Sequence, residues 1–294
     1  MTRLSLVTSR AEGRLEALAL DFDIGVNVVV CDDADVRARL AEMLTGLRRA
    51  RAASVRLDQT SLESSAEARA RVSSVLREET LPEAKDVAAA LRLAFALRAV
   101  VAEPEACLAA FGLQGLLGVS PTSLDGHELR AVAFAIAMSC GEVARALVLY
   151  DPFALTPLVP SRVVLDSCSR FARERVVVAL VPELSEALRL GGHCSLIERG
   201  RVTAYGALAA GPPLVVRARS PHAAELAALL KAQGTAQHVE SSGRELRITC
   251  ADPVALSQTL VSTALEHQLD ISGLALPSLA LSSQLALRAR REGR

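Results

Sequence analysis

Three carboxylates and one guanidinium crowd a single short stretch: Cys31, Asp32, Asp33, Ala34, Asp35, Val36, Arg37 and Ala38. The stretch follows the apolar run VNVVVC and leads into an amphipathic segment, so it marks a turn from a buried strand into a helix. Asp32 or Asp33 can cap that helix, and acidic residues in its first turn suit the helix dipole. The same charges oppose a bound anion. One like-charge pair at ~4 Å costs roughly 4 kcal/mol at an effective dielectric of ~20. Repeated, even a fraction of that would erase a micromolar affinity worth about 8 kcal/mol.

Other candidates are fewer. Asp151 ends the buried run ALVLYDP and could act as a base. Leu124, Asp125, Gly126, His127 and Glu128 turn into an apolar helix. His127 and His193 have no second ligand nearby in sequence, and no metal site is expected. Cys31, Cys107, Cys140, Cys168, Cys194 and Cys250 form no Cys-x-x-Cys, and most sit in apolar runs. They read as small buried hydrophobes in a reducing compartment. Ser64 and Glu67 fit a capping box. No G-x-S-x-G elbow supports a serine hydrolase.

The elements that must hold these residues follow from periodicity. Residues 15–24 alternate as a half-exposed strand, 26–31 read as a buried strand, and a helix follows with Val36, Leu40, Met43, Leu44 and Leu47 as its apolar stripe and Gly46 at its end. A short strand is expected at 54–58, helical structure at 84–112 with a break at Pro104, and a buried helix after the turn at 124. Strands are expected at 146–152 and 176–182 with a helix at 160–173 between them, then a short helix and a hairpin over 193–206. Alternating helices and apolar strands predict a parallel sheet packed on both faces. Gly211-Pro212-Pro213 mark a boundary. Beyond it the order is strand 214–219, helix 222–233, strands 236–241 and 244–250, helix 252–267 and strand 269–275, a ferredoxin-like α+β plan. An amphipathic tail then ends in Arg288, Arg290, Arg291 and Arg294.

Composition narrows the class. The 294 residues are 51% hydrophobic, which excludes intrinsic disorder, and long enough for one large or two modest domains. With 33 Lys+Arg against 33 Asp+Glu the formal net charge is zero, and aromatics are only 3% with no Trp, so no nucleic-acid partner is expected. Lys occurs only at Lys85 and Lys231. No uninterrupted apolar run reaches membrane-spanning length and no signal peptide is recognised, so a cytoplasmic protein is expected.

The landmarks over 14–206 resemble the ATP-binding subunit of ABC transporters. SLDGHELRAVAFAIAM is similar to that family's signature segment and its helix. ALVLYDPF resembles the metal-binding strand, and VVVALVPELSEALRLGGHCSLIERGRVTAYG the switch-histidine strand with its closing hairpin. The C-terminal part is similar to the extra domain of exporter-type subunits. The resemblance implies an α/β, P-loop NTPase-like ABC ATPase fold over 1–210, with a helical subdomain at about 80–140 and a ferredoxin-like accessory domain over 211–294.

Carried over residue by residue, the family's site is largely missing. Its phosphate loop, G-x-x-G-x-G-K-[ST], is matched by residues 31–38 with no glycine, with Arg37 for the Lys and Ala38 for the metal-binding hydroxyl. Arg77 stands in the Gln place. Of the signature Leu-Ser-Gly-Gly-Gln, only Leu124 and Gly126 survive. Tyr150 replaces the metal-positioning Asp, Asp151 the catalytic Glu, and Pro182 the switch His. Hydrolysis needs a positioned water, a base and a charge-neutralising metal. The resemblance therefore implies a pseudo-ATPase that binds neither ATP nor Mg2+, with Asp151 its one residual candidate base. It would be a structural or regulatory subunit of a membrane export complex. A multi-span permease would hold it at the inner face of the membrane, as a homodimer or with an intact ABC ATPase subunit. The alternatives are an ATP-binding subunit with a remodelled loop and a soluble interaction module derived from the same fold.

Overall fold

A computed structural model describes residues 2–9, 15–48, 53–155, 157–208, 214–233, 238–250 and 253–275. The chain divides into two compact units, Met1–Ala207 and Leu208–Arg294.

In the first unit an antiparallel sheet is built from β1 (Arg3–Thr8), β2 (Ala19–Asp23), β4 (Ala53–Leu57) and β5 (Thr60–Ser61), in the order β2-β1-β4-β5. The strand at Arg3–Thr8 was not anticipated from sequence, and the strand expected over 15–24 is confined to Ala19–Asp23. The central sheet has the order β10-β9-β3-β8-β7-β6. Its strands are β3 (Gly25–Val30), β6 (Val72–Val75), β7 (Ala146–Tyr150), β8 (Val176–Val181), β9 (Gly192–Glu198) and β10 (Arg201–Leu208). β3 runs parallel to both β8 and β9, and β7 parallel to both β6 and β8. β7 and β8 are buried along their full length, as their unbroken apolar sequences require.

α1 (Ala34–Leu44) packs Val36, Leu40, Met43 and Leu44 into the core shared by the two sheets. Leu47 does not continue this stripe and is 68% exposed. Gly46, at φ +71°, turns the chain out of the helix before the next turn can form, and the Leu47 amide bonds back to the Glu42 carbonyl. α2 (Ala66–Ala70) is capped by Ser65, whose hydroxyl accepts from the Ala68 amide. The expected box at Ser64 is therefore displaced by one residue.

A helical layer of α3 (Val87–Leu97), α4 (Pro104–Ala109) and α5 (Gly126–Ser139) lies between β6 and β7 in sequence, with Phe111 and Phe134 in an edge-to-face contact at 5.3 Å. α6 (Ser161–Phe171) and α7 (Leu184–Leu190) flank β8 in the chain.

The second unit runs β11 (Leu214–Arg219), α8 (Ala223–Gln233), β12 (His238–Ser242), β13 (Glu245–Cys250), α9 (Pro253–Glu266) and β14 (Gly273–Ala275). The antiparallel order β12-β13-β11-β14 is a split βαβ arrangement. Its last strand is shorter than expected, three residues rather than 269–275. The expected boundary at 211–213 and the arginine-rich tail lie outside the described residues.

Candidate functional site

Three segments meet at the C-terminal edge of the central sheet, the place where open α/β folds put their ligands. They are the turn after β3, the end of β7 and the start of α7. The turn is short: β3 stops at Val30 and α1 starts at Ala34. Ala34, Asp35, Val36, Arg37 and Ala38 are thus helical, which leaves a turn of three residues, 31–33.

Three amides at this turn are engaged within the chain. Cys31 N–H donates to the Val181 carbonyl at 3.0 Å. Asp33 is the helix cap, and its carboxylate accepts from the amides of Asp35 at 3.0 Å and Val36 at 3.1 Å. The carbonyls of the turn converge on a cation. Arg37, only 5% exposed, donates one Nη to the carbonyls of Cys31 and Asp32. A phosphate loop presents N–H groups to an anion. This turn presents oxygens to its own guanidinium.

Tyr150 is 5% exposed, and the Arg37 guanidinium lies 5.6 Å from its ring centroid. Arg130 of α5, 9% exposed, lies 5.7 Å from the same ring and donates to the carbonyls of Tyr150 and Asp151. Burial lowers the Arg130 pKa, against the opposing pull of Asp151, Tyr150 and Glu79. Burial also raises Glu79, which accepts from the Leu76 amide. Asp151 adopts φ +47°.

Acidity gathers beside Asp151. Glu186 of α7 is pushed up to about 7, first by burial and then by the charges of Asp151 and Glu183, against Arg189 and Arg37. The base, if Asp151 were one, would face other carboxylates. Among the described residues no group of three His, Cys, Asp or Glu side chains could hold a metal ion.

The remaining landmarks have local partners. Arg77 pairs with Asp35 at 3.1 Å, tying the loop after β6 to the first turn of α1. Ala38 lines a cavity of about 270 Å³ beside α1, among Asp35, Arg39, Glu42, Arg48 and Arg77. Asp125 caps α5 by accepting from the amides of His127 and Glu128 at 2.8 Å, and Glu128 accepts from the Asp125 amide at 2.9 Å. His127 Nδ1 lies 3.3 Å from the Ala154 carbonyl, and Leu124 is buried. Pro182 follows β8 with no side-chain group to offer a phosphate. Five of the cysteines are buried and free, and burial holds the Cys168 and Cys194 thiols at about 12, far from reactivity. Lys85 pairs with Asp86, at the cap of α3, and Lys231 lies on α8 in the second unit.

Arg130 and Glu186 were not legible as site residues. Arg130 looks like one polar break in an apolar helix, and Glu186 like a charge in a first turn. Only their placement against Tyr150 and Asp151 gives them a role.

The fold defines a class: the chain has the fold of ABC transporter ATP-binding subunits. A solved structure described as the ATP-binding subunit of an ABC transporter matches with a TM-score of 0.61 and 19% identity, over 70% of this chain and 90% of that one. An ATP-binding cassette solved as a dimer in a post-hydrolysis state, bound to ADP and Pi, matches with a TM-score of 0.57 and 14% identity, over 71% of this chain and 99% of that one. No family model matches the chain, and no curated protein does.

Proposed function

We propose that the chain is a pseudo-ATPase: it keeps the architecture of an ABC ATP-binding subunit and has exchanged nucleotide chemistry for internal contacts. The observation that carries this reading is Arg37, whose guanidinium satisfies the carbonyls of the turn where a phosphate would need amides. In this reading the charged groups of the site face one another rather than ATP or Mg2+. Arg37 and Arg130 supply the positive charge, and Asp151, Glu79 and Glu186 the negative.

In this reading the chain is a structural or regulatory subunit of an export complex. A multi-span permease holds it at the cytoplasmic face of the membrane, as a homodimer or beside an intact ABC ATPase subunit. The dimeric cassette among its structural neighbours supports the pairing. No described helix is long and apolar enough to cross a membrane, so membrane contact would come through the partner.

Affinity purification of the tagged full chain from detergent-solubilised membranes tests the assembly. Recovery of a multi-span permease, with or without an intact ABC subunit, supports it. Recovery of the chain from the soluble fraction alone favours the soluble interaction module. Micromolar ATP binding that is lost on Arg37→Ala favours the remodelled-loop alternative.

A further inference from the structure

Among the described residues of the second unit, the sheet is packed by helices on one side. Val216, Ala218, Val239, Leu246 and Ile248 face α8 and α9 in its core. The alternate positions Val215, Arg217, Arg219, Glu240, Glu245 and Arg247 are all exposed. Their register decides which charges meet. Arg219 stands opposite Glu245 and pairs with it at 3.0 Å. Arg247 stands between Glu240 on one side and Arg217 on the other. Glu240, however, is engaged by His238 at 3.1 Å. Arg217 and Arg247 are left directly opposite each other, and neither makes an ion pair among the described residues. Cross-strand neighbours have Cβ atoms roughly 4.5–5.5 Å apart, and like charges so placed are destabilising.

We propose that this open face docks an acidic, extended segment of a partner protein, with Arg217 and Arg247 closing together on its carboxylates. Charge complementarity carries the choice of partner. The face bears three arginines against two glutamates, whereas the helices on the other side carry Glu225 and Glu266 against Lys231. Guanidinium forks match carboxylates bidentately and are less strongly hydrated than ammonium groups. Arg217 and Arg247 are cross-strand neighbours, so one carboxylate of the segment can meet both guanidinium groups. Val215, two residues from Arg217 on β11, gives the segment an apolar contact. Among the described residues the face bears no Phe, Tyr or Trp, and its one imidazole, His238, is engaged with Glu240.

The test is fluorescence anisotropy of a labelled, alternating Glu-Val octapeptide with the full chain at low ionic strength. Binding should weaken about tenfold in the double variant Arg217→Gln/Arg247→Gln, and by less than about twofold in Lys231→Gln, which removes the same kind of charge from the helix side. The double variant should melt no lower than the parent, because a repulsive pair is removed. Absence of binding, or equal loss in Lys231→Gln, overturns the proposal. So does arginine-dependent binding to phosphatidylserine vesicles without peptide binding, which would make the ligand a membrane surface.

Discussion

The Arg37 guanidinium lies 3.0 Å from the carbonyl oxygen of Asp32, five residues earlier in the same chain. The contact folds the helix's own cation back over its entry turn. Two oxygens that would repel a phosphate become hydrogen-bond acceptors, and Tyr150 packs against the same guanidinium. Removing the donor strands buried acceptors. Arg37→Met, which keeps much of the volume, should therefore lower stability by about 1–3 kcal/mol in urea denaturation. Arg37→Lys should confer no nucleotide binding, because the turn between Val30 and Ala34 still has only three residues.

Glu186 gives the site a pH dependence. Its carboxyl is near 4.5 when unfolded and about 7 when folded. Below 4.5 the group is protonated in both states and costs nothing. As pH rises through 7 the folded state must carry a buried charge beside Asp151 and Glu183, and stability falls. Reduced for the group's partial exposure to solvent, the drop in unfolding free energy between pH 5 and pH 8 should be about 1 kcal/mol on account of this group. Glu186→Gln should remove that slope and leave the variant the more stable protein at pH 8.

Asp125 caps α5. Asp125→Ala breaks the reciprocal box with Glu128 and should cost about 1 kcal/mol, read as a lower thermal midpoint. Asp125→Asn keeps one acceptor and should recover most of it.

Gly192 tests the register of the central sheet. A Cβ there would lie 2.0 Å from the Val26 carbonyl oxygen, and its φ of +84° disfavours any other residue. Gly192→Ala should push β9 from β3 and destabilise the first unit by at least about 2 kcal/mol.

The core of this architecture was readable because its strands are unmistakable. VVVALV and ALVLY are buried on both faces and tolerate no polar residue. The Asp33 cap and Gly46 bounded α1 for equally local reasons. What could not be read depended on contacts remote in sequence. β1 is too short and too mixed to stand out, and becomes a strand by pairing with β2 and β4. Arg130 matters only because α5 brings it to Tyr150, twenty residues on. The sequence showed which residues stand at the turn after β3 and at the end of β7. The site's content, two buried arginines about one tyrosine, required the fold.

The central claim is that the chain binds no nucleotide because its own side chains hold the site. Isothermal calorimetry of the full chain with Mg-ATP and ADP, checked by thermal shift, tests it most directly. A ligand at about 100 times its dissociation constant would stabilise the fold by ~2.7 kcal/mol, an easily seen effect. We predict no heat and no shift at millimolar nucleotide. Micromolar binding of Mg-ATP would contradict the account, and would mean that Arg37 leaves the turn to admit a triphosphate.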